Sequence, residues 1–177
     1  GLAKLILCAG VRDRQGSCDG RSGAFAEKSR GEGTTTNYSN NQTRFVQWCS
    51  VNCAKALNRA WVSAVHQEDV KERSLGDEEP IPSLDKKFRK AVRRRLEHYD
   101  KHLPPLDFAN FEVDDVMIYL QQLDILASSN GVHRAAIRAL FTDYGQHVPK
   151  EWDENLSTLF AGIKRQEAGK RQGGELE

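Results

Sequence analysis

Residues 113–145 read VDDVMIYLQQLDILASSNGVHRAAIRALFTDYG, and their periodicity decides the fold class. Val113, Val116, Met117, Leu120 and Leu123 recur at helical spacing, and Glu112, Asp114 and Asp115 sit at the start, where free backbone N–H groups favour negative charge. The spacing predicts a helix from about Val113 to Leu126. Ser128-Ser129-Asn130-Gly131 reads as a turn and cap. The next helix carries Val132, Ala136, Ile137, Leu140, Phe141 and Tyr144 inward, with Gly145 as its stop. Neither stretch has the period-two alternation of a half-buried strand.

Working outward, Trp152, Leu156, Leu159, Phe160 and Ile163 mark a last helix that fades into a Lys/Arg/Gly-rich tail from Lys164. Upstream, Ser83 caps a helix whose apolar residues Leu84, Phe88, Val92, Leu96 and Tyr99 keep an i, i+4 rhythm until Pro104 and Pro105 stop it. An acidic linker, residues 68–80, precedes it with Glu68, Asp69, Glu72, Asp77, Glu78 and Glu79. Thr34, Thr35 and Thr36 offer N-caps for a region 36–67 of one long helix or two short ones. Its face is Tyr38, Phe45, Trp48 and Cys49, extended by Val51, Ala54, Trp61, Val62 and Val65. No strand pattern survives, so the expected fold is all-α, a compact bundle of four to five helices.

Residues 1–33 read as a flexible N-terminal arm, rich in Gly, Ser, Arg and Asp, whose first ten residues resemble the cut edge of a longer chain. Residues 34–171 form the helical domain, with the acidic linker and basic helix inserted at about 54–110, and residues 172–177 are a tail. The 38% hydrophobic and 29% charged composition suits a folded chain, and no apolar run approaches the roughly 20 residues of a membrane span. No membrane association is expected. Cys8, Cys18, Cys49 and Cys53 could be two disulfides or one metal site, but neither spacing fits well. Reduced thiols in an intracellular protein are the preferred reading, nuclear in a eukaryote and cytoplasmic or nucleoid-bound in a prokaryote.

Complete catalytic motifs are missing: there is no G-x-S-x-G, P-loop or strand-linked G-x-G-x-x-G. Cys49 and Cys53 read as core. His98 and His102 have the i, i+4 spacing of two metal ligands but no HExxH frame, and a solvated or phosphate-contacting pair fits better. No cofactor and no metal are expected. The clearest physical signal is basic: seven of the ten residues from Lys86 to Arg95 are Lys or Arg, against a net charge of only +1 for the chain. Such a cluster, with Lys87, Lys90 and Arg94 outward, binds phosphate backbones by releasing counterions. A solvated face, pairing with the acidic linker, or an acidic protein partner remains open beside that reading. His133 and Arg134, with Arg138 one turn on, form a further cationic trio near a helix start.

Taken in order, several segments resemble the N-terminal core-binding (SAM-like) domain of the tyrosine recombinase, or phage integrase, family. They are Thr34-Thr35-Thr36-Asn37-Tyr38 followed by Phe45-Val46-Gln47-Trp48, then Val116-Met117-Ile118-Tyr119-Leu120, Ala136-Ile137-Arg138-Ala139-Leu140, and Gly162-Ile163-Lys164-Arg165 after Gly145 and Pro149. The match spans about Thr34 to Arg171 and departs from the family between about Ala54 and Asn110. The resemblance implies a non-catalytic helical clamp over one side of double-stranded DNA, serving recombination or integration, with other recombinase protomers as further partners. It places DNA contacts at Thr36, Asn41 and Arg44 on the first helix and at His133, Arg134 and Arg138 on the fourth, with Lys164 and Arg165 leading towards an interdomain linker. The family's strand-cleaving residues belong to a second domain, and Tyr119 and Tyr144 lie in core-facing patterns rather than acting as its nucleophile.

Overall fold

The structure, a computed structural model, describes residues 32–73 and 84–172, with side chains described for 36–71 and 84–170. The expectations for the N-terminal arm up to residue 31, for the acidic run and Ser83 within 74–83, and for the last five residues lie outside the described residues. The elements are α1 (Glu32–Asn52), a 3-10 turn (Ala54–Ala56), α2 (Arg59–Arg73), α3 (Lys86–Glu97), α4 (Val113–Gln122), α5 (Ala127–Asp143) and α6 (Trp152–Gln172). Among the described residues the one β feature is an antiparallel bridge between Leu57 and Leu106.

α1 lies at the centre, packed against α5 on one side and α3 on the other, while α2 covers α3, and α6 meets both α4 and α5. Its apolar and aromatic residues explain why. Phe45, Val46, Trp48 and Cys49 are buried. From Phe45 an aromatic chain runs through the bundle: Tyr119 of α4 lies 5.1 Å away, Phe111 lies 6.2 Å away, and Phe111 meets Phe141 of α5 at 5.0 Å. Phe141 in turn meets Trp152 of α6 at 5.9 Å. The edge-to-face geometry of these pairs aligns ring quadrupoles, adding about 0.5–1.5 kcal/mol per pair beyond the apolar area buried.

Several boundaries differ from the sequence reading. The 36–67 region is two helices, and Thr34 to Thr36 lie inside the first turns of α1 rather than capping it. Glu68 and Asp69, expected in the acidic linker, instead belong to α2, where Asp69 is buried. The N-cap of α3 is Asp85, whose carboxylate accepts from the Phe88 N–H at 2.6 Å, and the helix stops at Glu97 instead of running on to the prolines. Leu84 and Tyr99 fall outside it and are exposed, as are Val51 and Val132, all four expected inward.

Ser128 to Gly131 are helical, because α5 opens at Ala127, whose N–H donates to the Glu167 carboxylate of α6. A tertiary acceptor satisfies the helix start here, which local polarity could not show. Gly145 does end the helix: its φ of +66° lets Gln146 N–H reach the Phe141 carbonyl at 2.8 Å.

The region from 54 to 110 is part of the bundle. Asn58 N–H donates to the Pro105 carbonyl at 3.0 Å and Asp107 N–H to the Ala56 carbonyl at 2.9 Å, tying the loop after α3 to the turn after α1. Leu57, Trp61, Val65, Phe88, Ala91, Val92 and Leu106 join the same buried cluster as α1, α4, α5 and α6.

Candidate nucleic-acid interface

Burial of Phe88, Ala91 and Val92 against α1 and α2 fixes the roll of α3. That roll places Lys86, Arg89, Lys90 and Arg93, spaced i, i+3, i+4 and i+7, along one edge beside α1. From α1, Asn37, Asn40, Asn41, Thr43 and Arg44 form the opposite wall. The groove between them has a volume of about 510 Å³, and none of its lining residues is acidic.

Two of its cations are oriented by neighbours. Arg89 Nε donates to Gln47 Oε1 at 2.7 Å, and Gln47 Nε2 donates to the Asp85 carbonyl at 2.9 Å. Arg93 Nε bonds to Glu97 at 2.9 Å and its Nη1 to Asn40 Oδ1 at 3.2 Å. The far side of α3 spends its charge differently: Arg95 lies 3.6 Å from Glu68 of α2, so part of the basic run is paired with the acids that precede it.

A second groove, of about 730 Å³, lies between α5 and α6 and has a more apolar lining of Leu126, Ala127, Ala135 and Phe160. Arg134, Arg138 and Lys164 stand on it. Both arginines reach Asp153 Oδ1, at 2.7 Å and 3.2 Å, and Arg134 sits over the Phe160 ring.

The expected contact residues therefore divide. Asn41, Arg44 and Lys90 share the first groove, and Arg134, Arg138 and Lys164 share the second. Thr36, Lys87 and Arg165 are exposed but line neither, and Arg94 is half-buried on α3 outside the groove lining. His133 is a correction. It is 6% exposed, and its Nδ1 lies 3.1 Å from the Tyr119 hydroxyl, also buried, so it belongs to the core and not to a surface trio. Desolvation first, and the nearby Arg44 second, push its pKa below the usual 6.5, while burial pushes the Tyr119 phenol upward. A protonated phenol and a neutral ring thus share a hydrogen bond whose direction follows the tautomer of the ring.

Lys86, Arg89 and Arg93 complete the groove and were not singled out from sequence as contacts. Their spacing with Lys90 was the available signal; what it lacked was which edge of α3 faces α1.

Cys49 and Cys53 are free and buried, and burial raises the Cys49 thiol pKa well above its usual value, which keeps it a poor nucleophile. α3 ends before His98, its C-cap, so His98 and His102 do not share a helical face. Among the described residues no three His, Cys, Asp or Glu side chains are grouped to hold a metal ion. None of the described helices is long and apolar enough to cross a membrane. Compared with known proteins, the chain matches no family model, no curated protein and no solved structure.

Proposed function

We propose that this chain is a non-catalytic module that grips double-stranded DNA, in the manner of a recombinase core-binding domain whose strand-exchange chemistry would belong to a separate catalytic domain. The observation that supports it is the α1–α3 groove: five cations, Arg44, Lys86, Arg89, Lys90 and Arg93, beside three asparagines and a threonine, with no carboxylate in the lining. Guanidinium and ammonium groups in this density favour a polyanion, because each phosphate neutralised releases a condensed counterion. Asparagine and arginine on a helix are also the side chains suited to base edges.

Fluorescence anisotropy with a mixed-sequence duplex tests this. If all five cations meet phosphates, the slope of log affinity against log salt is about −4 to −5. The double substitution Lys86→Glu and Lys90→Glu abolishes binding while helical circular dichroism is kept. Absent or salt-insensitive binding by the folded chain would overturn the reading.

The Arg95–Glu68 pair supports a second reading, in which the basic helix takes carboxylates from an acidic protein partner. A pull-down that recovers such a protein, undisturbed by excess duplex, would favour it.

A further inference from the structure

We infer that Arg89 is the fixed point of the α1–α3 groove, a guanidinium preset by the buried amide of Gln47 to seat one phosphate group between its terminal nitrogens. The inference rests on the proposed DNA reading only for the phosphate's owner, a backbone diester.

Gln47 is 1% exposed, so its amide must be satisfied internally. Its nitrogen donates to the Asp85 carbonyl at 2.9 Å and its oxygen accepts from Arg89 Nε at 2.7 Å. A flipped amide would set oxygen against carbonyl oxygen and N–H against N–H, so this orientation is the one the surroundings permit. Asp85 is itself fixed, since its carboxylate caps α3 through the Phe88 N–H at 2.6 Å. Helix start, buried amide and guanidinium thus form one connected chain.

With Nε engaged, the outer edge of the guanidinium, Nη1 and Nη2, is the remaining donor pair, and it makes no other hydrogen bond among the described residues. That edge matches two oxygens of a phosphate. Arg44 and Lys90 line the same groove and add charge around it. Arg93 is a contrast: its Nε and Nη1 are taken by Glu97 and Asn40, and its charge is partly cancelled. Gln47 is accordingly a positioning residue that never touches the ligand, and it costs Arg89 little rotamer entropy at the moment of binding.

The test uses the full chain, two probes and two substitutions. The probes are inorganic pyrophosphate and a short mixed-sequence DNA duplex. Arg89→Lys keeps the charge and removes the fork, and Gln47→Met keeps the volume and removes the amide. The expected result is a loss of roughly tenfold in affinity for both probes with either substitution, as for a charge-assisted hydrogen bond. The double variant should be no weaker than Arg89→Lys alone, because both act through one contact. In nitrogen-15 spectra, the Arg89 Nε–H signal should be protected in the parent and lost in Gln47→Met.

Wild-type affinity in Arg89→Lys, or losses that add in the double variant, would overturn the seat. If Gln47→Met does not fold, Arg89→Lys alone decides, its fold checked by circular dichroism, since it removes no apolar side chain from the core. If pyrophosphate binds with this dependence and the duplex does not bind, the seat stands and the DNA reading falls. If the duplex binds and neither substitution matters, the DNA reading stands and the seat falls. If the folded chain binds neither probe, both fall.

Discussion

His133 carries a neutral imidazole into the core, and its environment makes stability depend on pH. Its folded pKa lies below the usual 6.5, so the unfolded chain binds the proton more readily than the folded one. The His133 contribution is therefore intact above 6.5 and is lost as pH falls below that value. Thermal midpoints measured from about pH 7 to about pH 5.5, the range in which histidine titrates, should fall more steeply for the parent than for His133→Gln. Equal slopes would show that the ring is not the titrating group. Asp115, whose carboxyl burial pushes upward, contributes with the opposite sign, but it is common to both proteins and cancels in the comparison.

Two glycines separate in the same way. Gly145 holds φ +66°, a conformation that strains a residue with a Cβ, so Gly145→Ala should lower stability by about 1 kcal/mol. Gly131 lies inside α5 with no atom near the position of an added Cβ, so Gly131→Ala should raise stability by about 0.5–1 kcal/mol. Denaturant midpoints check both. The sequence marked both residues as helix punctuation, and only Gly145 is. Gly131 looked like a turn because Ser128, Ser129 and Asn130 precede it, whereas the helix already starts at Ala127, whose N–H is accepted by Glu167, forty residues after it.

At the scale of elements, α3 shows how far local signals reach. Its existence and basic character were legible, because Phe88 and Val92 recur at i, i+4 amid lysines and arginines. Its ends were not: the i, i+4 rhythm runs from Leu84 to Tyr99, whereas the helix spans Lys86–Glu97, with Asp85 and His98 as its caps. Asp85→Ala removes the cap and should cost about 1 kcal/mol.

α5 and α6 offer a different test. One carboxylate, Asp153, holds both Arg134 and Arg138, so a DNA surface that included this groove would have to compete with it. Asp153→Asn should then tighten duplex binding and steepen its salt dependence. An unchanged affinity would assign DNA contact to the α1–α3 groove alone.

For the whole molecule, the question is whether the region 54–110 folds with the rest. Leu106 is 1% exposed in the shared core, on a loop bonded to the turn after α1. Leu106→Ala should cost about 2–5 kcal/mol and leave a single unfolding transition seen by every probe. Two transitions would show an independent insert.

By itself the sequence determined that the chain is helical, that Phe45, Trp48, Val116, Leu120, Ile137, Leu140 and Leu156 build its core, and that α3 is strongly basic. Each of these follows from residue type and a 3.6-residue period, both local properties. Only the tertiary structure decided that His133 lies inside, that Arg95 is matched by Glu68 and the α5 arginines by Asp153, and that Lys86, Arg89, Lys90 and Arg93 face Arg44 across a groove free of carboxylates in its lining. Those outcomes depend on the roll of one helix against another. That roll is set by the packing of residues distant in sequence, and a linear period carries no record of it.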